Sequence, residues 1–270
     1  MPEFDEVALN QLIADVLSSA KYRDVSPAFV RHIGMQELGR RRNLKEAVKE
    51  TKNRLHQVSG AYLGREHYAR WLAEIRQAVR SGDEHELRAA CRLVMSHHAS
   101  TQERLPLLDT FYRSVLADYA PIHSVLDVAC GLHPLAIPWM PLAQDARYYA
   151  YDIHQDMLNF LQECMHIMGV QGEVQCCDVT QTCPQQEAEV ALVLKTLPCL
   201  EQVDKLAGER LLRELRARRL VVSFPVRSLG GRKKGMAEHY EKHFYEMLGE
   251  EVGTVKKFLF ETELVFVVER

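Results

Sequence analysis

Three aspartates stand where a sheet fold could use them. Asp127 sits in "SVLDVA", Asp152 closes "ARYYAYD", and Asp178 follows "GEVQCC". Each ends a short apolar run, and ligands of open α/β sheets lie outside the carboxyl ends of the strands. Between the first two runs lies the loop "VACGLHPLAIP", whose one glycine is Gly131. In nucleotide folds an acid about 20 residues beyond the glycine loop takes ribose hydroxyls, and Asp152 follows Gly131 by a similar interval. A pyrophosphate needs more glycines, because they allow the backbone to approach it closely. The loop therefore suits a nucleoside cofactor without a phosphate chain, and S-adenosylmethionine is the common one. Aspartates also serve as plain turn residues, and that alternative weighs most on Asp178.

The elements that must hold these acids fall into two halves. Residues 1 to about 118 read as helix. "SPAFVRHI" opens one helix, with Ser26 as cap and Pro27 where a missing N–H costs nothing. Leu44, Val48, Leu55, Val58 and Tyr62 recur at helical spacing. Ser81 with Glu84 and Ser100 with Glu103 read as capping boxes. Beyond 120, apolar runs alternate with helix-length segments, as in a doubly wound parallel sheet. The last two runs, "FLFET" and "ELVFVVER", are too close for a crossover and read as an antiparallel hairpin. The division expected is a helical domain over 1–105 and an α/β domain over 106–270, with the boundary soft between 100 and 120.

Composition narrows the class. The chain has 270 residues, 47% hydrophobic and 26% charged, which suits a folded protein of one large or two smaller domains. No apolar run reaches membrane-spanning length. The acidic start "MPEFDEVALN" lacks the features of a signal peptide, so a cytoplasmic location and no membrane partner are expected. The seven cysteines form no C-x-x-C pair. Reduced thiols are therefore expected, and neither a disulfide framework nor a metal site.

The net charge of −3 hides a local excess of cations. Between Lys21 and Arg54 there are ten Lys and Arg against four acids. Arg41, Lys45, Lys49 and Lys52 are spaced by four, four and three, which places them on one helix face. Arg23, Arg31, Arg40, Arg42 and Arg54 add to it. Such a face can grip phosphates, although a charged helix face is more often simply solvated. A second cluster, Arg227, Arg232, Lys233 and Lys234, surrounds Gly230 and Gly231 in "RSLGGRKKGM". At the carboxyl edge of the sheet it reads as a phosphate grip.

The blocks "VLDVACGLHPLA", "YDIHQ", "LVLKTLPCLE" and "SFPVRSLGGRKKGM" resemble the Arm/Rmt family of 16S rRNA (guanine-N7) methyltransferases, which confer aminoglycoside resistance. The resemblance runs across most of the chain, "STQERL" included. The family's usual first loop has Asn where this chain has His133. The resemblance implies a Rossmann-like S-adenosylmethionine-dependent methyltransferase domain behind a helical N-terminal domain. It implies guanine 1405 of 16S rRNA in the assembled 30S subunit as the acceptor, no DNA partner, and a monomer. By the same resemblance, Ala129, Cys130 and Gly131 pass under the cofactor's amino-acid end, with Asp127 nearby. Asp152 takes the ribose hydroxyls, and Asp178 meets the adenine amino group. Ile153, Val179 and Leu197 line the cofactor site, and Arg104 pairs with the methionine carboxylate. Lys195, Arg227 and Met236 are the candidates on the target side. Met236 equally reads as core by composition.

Guanine N7 carries a lone pair and no proton at neutral pH. Its methylation needs no general base, so His97, His98, His133 and His154 need no catalytic role. The requirement is alignment, with the base turned out of its helix. Other readings are a methyltransferase for adenine N1 in the same rRNA region, an idle RNA-binding protein with a degenerate cofactor fold, a small-molecule methyltransferase, and a nicotinamide-dependent oxidoreductase. The missing glycines disfavour the last. Intact Arg104, Gly131 and Asp152 disfavour the idle protein.

Overall fold

The computed structural model describes residues 6–60, 67–226, 235–249 and 253–270. Three helices, α1 (Glu6–Leu17), α2 (Pro27–Leu38) and α3 (Leu44–Leu55), open the chain. The Ser26 hydroxyl accepts the Phe29 N–H at 3.4 Å, with Pro27 in the first turn of α2. Asn43 accepts the Glu46 N–H at 2.9 Å and starts α3. Their apolar stripes meet in a cluster of Leu12, Val16, Val30, Ile33, Ala47 and Leu55. A π-helical turn over His56–Gly60 follows α3.

Four further helices precede the sheet: α4 (Tyr68–Ser81), α5 (Glu84–Met95), α6 (Ala99–Arg104) and α7 (Leu108–Leu116). The expected capping boxes differ in detail. Gly82, at φ +72°, turns the chain after α4, so Ser81 belongs to the end of that helix and its hydroxyl bonds the Ala78 carbonyl. Asp83 caps α5 instead, accepting the His85 N–H at 2.8 Å. Ser100 lies inside the first turn of α6, whose flanking residue is His98.

Seven strands form one sheet in the order β3-β2-β1-β4-β5-β7-β6. They are β1 (Ile122–Val128), β2 (Leu142–Asp152), β3 (Gln171–Cys176), β4 (Ala188–Leu194), β5 (Ala217–Pro225), β6 (Val255–Leu259) and β7 (Glu263–Glu269). β1 to β5 pair in parallel, while β7 runs antiparallel to β5 and forms a hairpin with β6. This is the doubly wound sheet with a terminal hairpin that the alternating pattern predicts. Both faces of such a sheet must be covered. Helix α8 (Gln155–Ile167) lies with α4, α5 and α7 over Val125, Tyr148, Val190 and Leu192. Helices α9 (Leu197–Val203), α10 (Ala207–Glu214) and α11 (Met236–Leu248) cover Leu126, Ala191, Val193 and Phe224 on the other face.

By apolar packing, α1 to α3 form a helical unit with its own cluster, which also takes in Val203 of α9 and packs against Ile153. Trp71, Ile75, Cys91 and Phe111, from α4, α5 and α7, belong to the core of the sheet. All seven cysteines are free thiols. Among the described residues, no helix is long and apolar enough to cross a membrane.

Candidate active site at the carboxyl edge of the sheet

The loop after β1 is held from both sides. Ala129 and Gly131 have φ of 51° and 53°, and such positive values favour glycine. A side chain at Gly131 would also collide with His98, whose ring atoms come within 2.8 Å of an added Cβ. The Gly131 N–H donates to Asp152 Oδ2 at 2.9 Å, and the Ile153 N–H donates to Asp152 Oδ1 at 2.7 Å. One carboxylate therefore ties the end of β2 to the glycine loop. The Cys130 N–H bonds the Tyr151 carbonyl, and burial pushes the Cys130 thiol well above its usual pKa.

Asp127 turns into the fold rather than across the pocket mouth. Its Oδ2 receives His133 Nδ1 and the Tyr148 hydroxyl, each at 2.7 Å, and Tyr112 meets His133 Nε2 at 2.5 Å. With Tyr112 donating to Nε2, His133 donates from Nδ1 to Asp127. The cluster is almost wholly buried. It fixes the outgoing side of the loop, and burial raises both tyrosine hydroxyls above their usual range.

A pocket opens where these ends meet. It is lined by Asp127, Ala129, Cys130, Gly131, Asp152, Ile153, Asp178, Val179, Arg104 and Lys195, among others. Of the residues expected to hold a cofactor, Leu197 alone does not line it. The reason is helical phase. Thr196, Cys199, Leu200 and Val203 line the pocket, spaced three and four apart along α9. Leu197 is turned to the side of that face, fully buried and packed near Gly208 of α10.

Arg104 is also in the pocket wall, but it has a protein partner. Its Nη2 donates to Glu263 Oε2 and its Nε lies beside Oε1, both at 2.8 Å. Glu263 reaches the site because β7 begins opposite the end of β5, with Glu263 beside Pro225. Burial works against the charges of both groups. Their mutual attraction outweighs it, so Arg104 lies above its usual pKa and Glu263, also facing Lys195, below. Lys195 has φ +57°. Its ammonium contacts Glu103 at 2.5 Å and Glu263 at 3.4 Å. It thus faces the cofactor end as part of a four-charge network. His98 completes this corner. Burial, then His154, Arg104 and Lys195, push its pKa down to about 3.

The remaining target-side candidates divide. Arg227, Arg232, Lys233 and Lys234 lie outside the described residues. Met236 is half-buried and opens α11 after Gly235; it is neither core nor part of the pocket wall. In the helical unit, Lys45 and Lys49 are exposed on α3. Arg41 does not share their helix, because Asn43 caps it two residues later. Arg41 instead pairs with the buried Glu37 at 2.9 Å. Lys52 donates to the Ser19 hydroxyl at 2.6 Å, and Arg23 is exposed and bonds the Ala20 carbonyl.

The structure adds wall residues that sequence spacing leaves unmarked: Phe29 and Val58 from the helical unit, and His98 and His154. Phe29 shows in the sequence only as one more apolar position of a helix. Backbone pairing brings it there. The Ser26 N–H donates to the Ile153 carbonyl at 2.7 Å, and the Gln155 N–H donates to the Asp24 carbonyl at 2.8 Å. The start of α2 is therefore joined to the segment just after Asp152.

Comparison with known proteins agrees with this architecture. The FmrO family, described as ribosomal RNA methyltransferase, matches residues 18–267. A 16S rRNA (guanine(1405)-N(7))-methyltransferase from Micromonospora echinospora is 34% identical over 268 residues, 98% of each chain. One of the same name from Frankia casuarinae is 39% identical over 269 residues, 98% of this chain and 95% of its own. The crystal structure of the 16S rRNA methyltransferase RmtF in complex with S-adenosyl-L-homocysteine superposes with a TM-score of 0.80 at 35% identity, covering 100% of this chain and 99% of its own. The 16S rRNA methylase RmtB gives 0.79 at 30% identity, over 97% of this chain and 98% of its own.

Proposed function

The chain belongs to the FmrO family of ribosomal RNA methyltransferases, and from that premise we propose that it methylates N7 of guanine 1405 in 16S rRNA with S-adenosyl-L-methionine. The acceptor is read as the decoding-site helix of the assembled 30S subunit. The consequence is read as resistance to 4,6-disubstituted deoxystreptamine aminoglycosides. The observation that carries the reading is full-length similarity to proteins of that specificity, in a chain whose pocket is built for a nucleoside.

The residues present fit the cofactor. Asp152 lies at the end of β2 beside the glycine loop, where ribose hydroxyls are held in such folds. Ile153, Val179, Leu200 and Val203 give apolar walls for a base, with Asp178 as the acid among them. His154 Nε2 is buried in the same wall and has no hydrogen-bond partner among the described residues, which a bound polar group would supply. Arg104, Lys195 and His98 line the end read as receiving the methionine carboxylate, with Glu103 and Glu263 balancing the two cations. When bound, S-adenosylmethionine supplies a sulfonium-activated methyl group.

The protein's own residues then have a positioning task. N7 needs no proton removed, so the chain has to orient the acceptor in line with the methyl group and keep water out. The positive φ at Ala129, Gly131 and Lys195 shapes the backbone around the opening where acceptor and cofactor meet. Such strained positions persist only where the surroundings enforce them; here the Asp152 and Asp127 networks and the Ser223 contacts to the Lys195 N–H do so. The exposed Lys45 and Lys49 of α3 are read as contacts for rRNA phosphates.

The deciding experiment is methyl transfer to purified 30S subunits and to protein-free 16S rRNA, with the product mapped by cleavage at N7-methylguanine. Transfer to the subunit at guanine 1405 supports the full reading. Modification of an adenine, or of free RNA alone, removes it.

A further inference from the structure

The acid at the base end of the pocket is held in place by the helical unit. Asp178 Oδ1 accepts from the Thr180 hydroxyl at 2.6 Å and from the Thr180 N–H at 3.0 Å. Its Oδ2 lies 3.1 Å from Nδ1 of His32, a residue of α2. The state of that imidazole follows from its other neighbours. Arg54 donates from Nη1 to Gln36 Oε1 at 2.6 Å, which turns the Gln36 amide so that its Nε2 faces His32 Nε2 at 2.9 Å. An amide nitrogen can only donate, so His32 Nε2 accepts. Gln181 Nε2 approaches the same ring nitrogen at 3.3 Å. The ring proton therefore sits on Nδ1 and points at Asp178, shared with the Thr180 hydroxyl oxygen at 3.1 Å. Arg54 is itself clamped by Glu37 and by the carbonyls of Gln202 and Val203 at the end of α9.

We infer that the chain Arg54–Gln36–His32 positions Asp178 for base selection, so the helical unit sets which purine the cofactor pocket accepts. This rests on the cofactor reading given above. A carboxylate offers about four acceptor sites. Thr180 occupies Oδ1 twice, and His32 takes one site on Oδ2. One directed acceptor is left on Oδ2, which matches a purine 6-amino donor and opposes a 6-oxo group. Asp178 and Thr180 line the pocket, whereas His32 does not. His32 is therefore a positioning residue and not a contact. Arg54, which counts among the basic residues by sequence, serves this chain rather than a phosphate.

The test is calorimetric titration of the full-length protein with S-adenosyl-L-homocysteine and with S-inosyl-L-homocysteine, which carries a 6-oxo group. The wild type should prefer the adenosyl compound by roughly tenfold or more, as befits one bond to a charged group. His32→Ala should bind the adenosyl compound several-fold more weakly, leave the inosyl affinity nearly unchanged, and so collapse the ratio. His32→Asn keeps a donor near the Nδ1 position and should restore the ratio. A two-bond ¹H–¹⁵N spectrum of the wild type should show His32 protonated at Nδ1. An unchanged ratio in His32→Ala, equal losses for both ligands, or a proton on Nε2 overturns the inference while leaving the cofactor reading intact. A wild type that binds neither compound overturns that reading and this inference with it.

Discussion

Gly131 and Asp152 are joined by a 2.9 Å hydrogen bond from backbone N–H to carboxylate. The carboxylate also receives the Ile153 N–H, so the acid both organises the loop and faces the pocket that the loop borders. Asp152→Ala should weaken S-adenosyl-L-homocysteine binding by about 1.5–3 kcal/mol, the range for hydrogen bonds to a charged group. Asp152→Asn keeps one acceptor oxygen for these two N–H groups and should fall between. Calorimetry on the three proteins checks this. Wild-type affinity in the alanine variant would place the ribose elsewhere.

Glu263 and Arg104 make the most deeply buried ion pair of the site. Removing one partner of such a pair leaves a buried charge and costs about 3–5 kcal/mol. Glu263→Ala should therefore unfold early in denaturant. Glu263→Leu combined with Arg104→Met should recover much of that loss. A double variant as unstable as the single one would show that packing, not the stranded charge, dominates.

His98 gives stability a pH dependence. Burial lowers its folded pKa to about 3 against an ordinary 6.5. The unfolded chain therefore takes up the proton first on acidification. The contribution is whole above pH 6.5 and is lost progressively as pH falls toward 3. His98→Gln, which cannot titrate, should show a shallower fall in melting temperature between those limits. Parallel curves for the two proteins would mean that the ring is hydrated and titrates normally.

Much of this was legible in the sequence because it is local. The Ser26–Pro27 start of α2, the strand-ending aspartates and the closing hairpin are each written within a dozen residues. What stayed hidden is long-range or depends on helical phase. Arg104 and Glu263 are 159 residues apart, and His32 and Asp178 are 146 apart. No spacing links such pairs; the sheet topology and the join between α2 and Ile153 bring them together. Leu197 depends on phase: α9 begins there, and the pocket-lining positions are 196, 199, 200 and 203. Arg41 lies before the helix that its spacing suggests, because Asn43 fixes where α3 starts.

Lys45 and Lys49 are exposed on α3, and neither makes an ion pair among the described residues. Reversing both to Glu should leave cofactor affinity unchanged and weaken binding to the small subunit. Fewer counterions are then released, so the dependence of binding on salt should become shallower. Filter binding across a salt series measures the slope. The same slope in variant and wild type moves the docking surface away from α3.

Met236 lets docking be separated from chemistry. It is half-buried in the first turn of α11, while Phe244, eight residues further along, is buried and anchors that helix. Met236→Ala should therefore cost little stability, well short of the roughly 2–5 kcal/mol of a core methionine. If Met236 packs on the turned-out guanine, the contact exists only once the base has left its helix. Losing an interaction confined to that state lowers turnover without a matching loss of subunit affinity. Cells expressing the variant should then regain gentamicin sensitivity, while the protein melts near the wild-type temperature and still binds subunits. A thermal melt beside a subunit-binding assay and a single-turnover methylation assay distinguishes the outcomes. Full turnover in the variant, or a loss of activity that tracks a fall in melting temperature, removes Met236 from the target side of the site.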